Sequence, residues 1–139
     1  MVDVWLPYGK TDVCVRVPAR NLLGSITPKE KTACNDAKAE VERALSNPIP
    51  NGSRRLSEIV LPESKIAIVV DDSTRKVPSE TMILPLLAVL NAAGVKDGNV
   101  TVIFGTGIHR SVTPDEAKLL LGQEVLKRVT VINHDAKAP

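Results

Sequence analysis

The residues with chemical reach in this chain sit in three polar clusters, each directly after an apolar run. Asp71-Asp72-Ser73-Thr74-Arg75 follows Lys65-Ile66-Ala67-Ile68-Val69-Val70. Gly105-Thr106-Gly107-Ile108-His109-Arg110 follows Asn99-Val100-Thr101-Val102-Ile103-Phe104, and Asn133-His134-Asp135 follows Val129-Thr130-Val131-Ile132. His109 and His134 are the only histidines, and an imidazole with an ordinary pKa of about 6.5 can take or give a proton at neutral pH. Arg75 offers a planar fork suited to a carboxylate or phosphate. Glycines on both sides of Thr106 let backbone approach a ligand closely and expose amide donors. An acid-base residue, an anion clamp and a glycine turn suit a small anionic substrate or a phosphate-bearing cofactor. Each piece also has a plainer reading. Asp71 to Thr74 can be turn and cap residues, the glycines tight-turn residues, and His109 a packed loop histidine. Convergence on one edge is what favours function.

Other chemistries are disfavoured. A metal site needs three or four ligands at suitable spacing, and the sequence supplies none. It has no serine-based nucleophile elbow. Its glycine spacing matches neither a dinucleotide fingerprint nor a Walker loop, so a plain Rossmann oxidoreductase is not expected.

The apolar runs are rich in β-branched residues and hydrophobic at successive positions, which predicts strands of a parallel sheet buried on both faces. Parallel strands deliver their C-terminal loops to a single edge, the place where open α/β sheets bind ligands. Between the first two runs lies a helix from Ser79 that buries Ile83, Leu86, Leu87 and Leu90 and stops at Gly94; Pro85 should loosen or kink it. Thr113-Pro114-Asp115-Glu116 is a capping box opening a second helix, which is interrupted at Gly122 and resumes to Arg128. Thr27-Pro28-Lys29-Glu30 carries the same signal, predicting a helix with a core stripe at Ala33, Ala37, Val41, Ala44 and Leu45, ended by Asn47-Pro48. Upstream, Val4-Trp5-Leu6 and Val13 to Val17 read as an antiparallel hairpin with a six-residue connection that extends or covers a sheet edge. Ile49 to Ser64 reads as a linker with one helical turn, in which Arg54-Arg55 is solvated. The predicted architecture is one α/β domain over residues 1–139: a Rossmann-like, mainly parallel sheet flanked by helices, with an N-terminal antiparallel hairpin.

Composition sets the remaining bounds. A chain of 139 residues, 43% hydrophobic and 24% charged, is long enough to bury a core. No apolar run approaches a membrane span, and the N-terminus lacks a secretory pattern, so a cytoplasmic protein is expected. Cys14, in a strand, and Cys34, in a helix, are expected to be free buried thiols. A net charge of +2 and one each of Trp, Tyr and Phe leave little for binding nucleic acid. Oligomeric state is not legible.

The ordered pair of loops, Asp71-Asp72-Ser73-Thr74-Arg75 and Gly105-Thr106-Gly107-Ile108-His109-Arg110, resembles the N-terminal domain of the lactate racemase family, the nickel-pincer-nucleotide enzymes that racemise or epimerise 2-hydroxy acids. The likeness covers essentially the whole chain. It implies that Asp72, Ser73, Thr74 and Arg75 contact the pincer nucleotide, with Arg75 also near the substrate. It implies that His109 is the first of two catalytic histidines and deprotonates the substrate hydroxyl while the pincer carbon takes the α-hydride. Lys76 replaces the family's usual proline, and Ser111 stands where the family varies; both bear on substrate identity. The family's second catalytic histidine, its cofactor-bonding lysine and its nickel-ligating histidine fall beyond the position of Pro139. The resemblance therefore implies a truncated domain that alone lacks racemase activity and binds no nickel, with His134 a structural loop residue. A non-catalytic nucleotide- or anion-binding module is the alternative, and a purely structural role for the polar loops is a third.

Overall fold

The computed structural model describes residues 1–49, 52–75 and 77–138; Pro50 and Asn51 of the linker, Lys76 and Pro139 lie outside the described residues. The chain forms two compact units, Met1–Ala33 and Cys34–Pro139. In the first unit β1 (Val2–Tyr8) and β2 (Thr11–Val17) pair antiparallel in full register from Val2 opposite Val17 to Tyr8 opposite Thr11. The connection is thus two residues, Gly9-Lys10, rather than six, because Pro7 and Asp12 pair with each other inside the ladder. The hairpin is a two-stranded sheet of its own and does not extend the parallel one.

The second unit contains α1 (Ala37–Ser46), β3 (Ile66–Val70), α2 (Ser79–Ala92), β4 (Val100–Phe104), α3 (Pro114–Arg128) and β5 (Thr130–Asn133). The α1 helix starts nine residues later than the Pro28 implied by the Thr27 signal. Asp36 is the true cap: its carboxylate accepts from the Ala39 amide at 3.0 Å. Of the expected stripe only Val41 and Leu45 are part-buried, and Ala33, Ala37 and Ala44 are exposed. The linker's single helical turn is present at Leu56–Glu58. Both cysteines are free, as expected, but exposed rather than buried, and Cys34 precedes the helix instead of lying in it.

Strands β3, β4 and β5 pair in parallel in that order, with Val70 opposite Phe104 and Phe104 opposite Asn133. One core cluster joins Val100, Val102 and Phe104 of β4 to Ile83, Leu87 and Leu90 of α2 and to Leu121 and Val125 of α3. Both crossover helices therefore cover the same sheet face, as successive right-handed crossovers stepping in one direction require. The opposite face is open. Val69 is 70% exposed and Ile132 is 46% exposed, so the expectation of strands buried on both faces holds for one face only. α2 runs unbroken from Ser79 to Ala92 with Pro85 buried inside it, so the helix absorbs the lost donor without splitting. α3 is two helical pieces meeting at Gly122, whose φ of +74° is closed to most side chains and which lies against Glu80. The ends of α2 and α3 remote from the polar loops are tied by Arg128, which donates to Asp97 at 2.8 Å and to Asn91 at 2.7 Å.

One-sided burial makes a testable contrast. Phe104→Ala should cost about 3–5 kcal/mol of unfolding free energy, the range for a buried aromatic. Val69→Thr on the open face should change it by less than about 0.5 kcal/mol. Urea titrations followed by circular dichroism measure both.

Candidate functional site

The parallel ladder continues one step past the strands: the Gly105 amide donates to the Val70 carbonyl at 2.8 Å and the His134 amide to the Phe104 carbonyl at 3.0 Å. All three polar loops therefore leave the sheet at the same level and on the same edge.

Loop Asp71 to Arg75 is built around Asp72. This residue is 5% exposed, and both carboxylate oxygens are engaged. Oδ1 accepts from the Thr74 amide at 2.9 Å and from the Thr74 hydroxyl at 2.6 Å, closing an Asx turn. Oδ2 lies 2.6 Å from Nδ1 of His109, thirty-seven residues away. The Arg75 amide donates back to the Asp72 carbonyl at 3.2 Å. Among the described residues, the Ser73 hydroxyl and the Arg75 guanidinium make no hydrogen bond or ion pair, and both residues are exposed.

His109 is delivered by a turn in which its amide donates to the Thr106 carbonyl at 2.9 Å. The turn depends on Gly107, whose φ is +56°; a β-branched residue there would be strained. Gly105 has no such backbone, and a methyl group there would make ordinary contacts with Val69 and Val70. The two glycines read alike in sequence, and only Gly107 is needed for its conformation. Thr106 is buried, and its hydroxyl donates to the His134 carbonyl at 2.7 Å. His134 thus ties the third loop down through its backbone. The imidazole of His109 is 49% exposed, with Nδ1 turned inward to Asp72. An open hollow of about 560 Å³ lies between His109 and Arg110 on one side and Asn133 and His134 on the other; a smaller one, about 260 Å³, lies by Asp71, Val77, Met82 and Gly105.

Three supports of this geometry were not legible as such in the sequence. Asp72 is the partner of His109. Glu116 accepts two bonds from the Arg110 guanidinium, at 2.8 and 2.7 Å, while also closing the capping box on the Thr113 amide at 2.9 Å. Asn133 uses its carboxamide like a backbone strand, accepting from the Val112 amide at 2.8 Å and donating to its carbonyl at 3.1 Å. The capping box was a signal for Glu116; nothing in the spacing signalled the other two. Among the described residues no group of three or more His, Cys, Asp or Glu side chains could hold a metal ion, and no helix is long and apolar enough to cross a membrane.

Residues 8–139 match the family described as the lactate racemase N-terminal domain. The chain belongs to that family. It is similar to the lactate racemase of Thermoanaerobacterium thermosaccharolyticum, with 32% identity over 99% of this chain and 32% of the relative. It is also similar to the lactate racemase of Lactiplantibacillus plantarum, with 29% identity over 96% of this chain and 31% of the relative. The solved lactate racemase apoprotein from T. thermosaccharolyticum superposes with a TM-score of 0.71 at 30% identity, over 96% of this chain and 30% of that one. The chain thus spans about a third of the length of these racemases. The α/β fold expected from the sequence is that of this racemase domain.

The carboxyl of Asp72 is held down to about 2, first by the Thr74 hydroxyl, then by the His109 imidazole and the Thr74 amide, against the opposing effect of burial. A carboxyl whose folded pKa lies below its unfolded value of about 3.9 contributes stability above that value. That contribution is lost as pH falls through about 2. Carbon-detected NMR titration should find the Asp72 midpoint near 2. In Thr74→Val, which removes the leading cause, the midpoint should move up toward the ordinary carboxyl range.

Proposed function

We propose that this racemase-family domain is the cofactor- and substrate-binding portion of a 2-hydroxy-acid racemase or epimerase that works by hydride removal and return, with His109 as one acid/base. The observation that carries the reading is a half-exposed imidazole anchored by a buried carboxylate on the rim that also bears Arg75. Removing a hydride from the α-carbon of a hydroxy acid makes a ketone only if the hydroxyl proton leaves as well. His109 can accept it through its outward nitrogen. Arg75 supplies positive charge for the carboxylate of the same substrate or for a phosphate of the cofactor.

The cofactor the family implies is the nickel-pincer nucleotide, and the loop fits its phosphate end. The Ser73 hydroxyl and the Arg75 guanidinium are donors with no partner among the described residues, and Asp72 and Thr74 hold the loop that presents them. What the group supplies when bound is a hydride acceptor and donor for the α-carbon. The described residues offer it no metal-ligand cluster, so this domain would grip the nucleotide rather than the nickel. Racemisation also needs a base on the opposite substrate face. His134, anchored through its backbone to Phe104 and Thr106, is not assigned that role. The small 2-hydroxy acid is the proposed substrate, in a cytoplasmic setting.

In a full-length lactate racemase carrying this domain, His109→Ala should lower racemisation about 10²–10⁴-fold, the usual contribution of a positioned acid/base. Undiminished turnover of every accepted hydroxy acid would remove His109 from the reaction. Calorimetric titration with the pincer nucleotide should show binding weakened at least about tenfold by Arg75→Ala, in line with the loss of a charged hydrogen bond. Equal binding of wild type and variant would take the guanidinium out of the cofactor site.

A further inference from the structure

We propose that Asp72 acts as the positioning residue of His109, fixing the proton on Nδ1 so that Nε2 is the nitrogen that accepts the substrate proton, and is not itself a contact for the cofactor. The inference rests on the reading of His109 as an acid/base. It departs from the role that resemblance alone gives Asp72 as a member of the nucleotide loop.

Acceptor geometry makes the case. A carboxylate has no proton to give, so the 2.6 Å contact between Oδ2 and Nδ1 is a hydrogen bond only when Nδ1 is the donor. A neutral imidazole with its proton on Nδ1 carries its lone pair on Nε2. The inward side of the ring faces the buried carboxylate, so Nε2 lies on the half-exposed side. Meanwhile Oδ1 is held by two donors of Thr74. With Oδ1 and Oδ2 both engaged on loop partners, Asp72 has little acceptor capacity facing outward. A negative carboxylate is in any case a poor neighbour for a phosphate. Orientation of a catalytic imidazole by a buried acid is the arrangement of the serine-protease triad, where the acid sets the tautomer and does not take the proton.

The two Thr74 donors also dictate what an amide would do at this position. In Asp72→Asn the side-chain carbonyl must stay on the Thr74 side, where both partners are donors, and the NH₂ group must turn to His109. Nδ1 then has to accept, which moves the imidazole proton to Nε2 and leaves no lone pair facing the substrate. The substitution removes one charge and keeps the shape, and its predicted effect is a tautomer flip.

The test reads the tautomer directly. In ¹⁵N-labelled 139-residue chain at pH 9, long-range ¹H–¹⁵N correlation should show His109 with a protonated Nδ1 and a bare Nε2, and the reverse in Asp72→Asn. A wild-type His109 protonated on Nε2, or an unchanged tautomer in a folded Asp72→Asn chain, overturns the proposal. The wild-type spectrum decides this even if the variant does not fold. In a full-length lactate racemase carrying this domain, Asp72→Asn should lower kcat about 10²–10⁴-fold, with KM and calorimetric affinity for the pincer nucleotide within about twofold of wild type. Loss of nucleotide affinity with kcat retained would return Asp72 to the cofactor site and end the proposal. If His109→Ala is inactive while Asp72→Asn turns over normally, the positioning role fails and the base assignment stands. If His109→Ala is fully active, the base assignment fails, and with it the catalytic part of this proposal.

Discussion

The site depends on a register. Val70 lies opposite Phe104 in a parallel ladder that runs on through Gly105, and adjacent strands are about 4.8 Å apart. Two segments distant along the chain therefore begin their loops side by side and at the same height. From that start Asp72 needs two residues and His109 needs five for their side chains to meet. A one-residue slip would carry every β4 side chain to the other face of the sheet. It would bring Thr101 and Ile103 into the core in place of Val100, Val102 and Phe104, so the core specifies the register. The chemistry at the strand ends thus inherits its precision from apolar packing well below it.

The polar groups near the rim act mainly on one another. Glu116 caps α3, clamps Arg110 next to His109, and has its carboxyl pushed well down, chiefly by that guanidinium. Asn133 holds Val112, and the Thr106 hydroxyl holds the third loop. These bonds join the segments that follow β4 and β5, so the turn bearing His109 is fixed on both flanks. A loop with its internal donors and acceptors satisfied is ordered before any ligand arrives, which lowers the entropy lost on binding. Among the described residues, the exposed Ser73 hydroxyl and Arg75 guanidinium are exceptions on this rim.

Much of this was legible in the sequence where local and tertiary signals agree. The Thr113 capping box leads into Leu120, Leu121 and Val125, which have a core to enter, and α3 begins where the box says. The identical-looking box at Thr27 leads into Ala33 and Ala37, which bury nothing, and the chain stays irregular until Asp36. A cap contributes about 1 kcal/mol, too little to hold a helix that has no apolar face to dock. The open sheet face was hidden for a related reason. Val69 and Ile103 are as apolar as Ile68 and Val102, and composition cannot say which side the crossover helices take. Arg75 and His109 stood out by residue type and by following strands. The link from Asp72 to His109 did not, because thirty-seven residues separate them and only the ladder brings them together.

What the site can do follows from which groups are left without partners. The oxygens of Asp72, the Thr74 hydroxyl and the Glu116 carboxylate are committed within the fold. Among the described residues, the Ser73 hydroxyl, the Arg75 guanidinium and the outward nitrogen of His109 are not. By their chemistry two of these could donate hydrogen bonds to an anion, and the third could take up a proton. An anion-binding module would need the first two and the Asp72–Thr74 turn that presents them, but it would have no use for the second contact, from the carboxylate to an imidazole. Burial alone would oppose a charge at Asp72, but the Thr74 donors and His109 outweigh it, so the charged carboxyl stabilises the fold while the same contact orients the ring. The direction of an imidazole lone pair matters for proton transfer, and on that ground we favour the proposed acid/base reading of His109 over simple capture of a nucleotide.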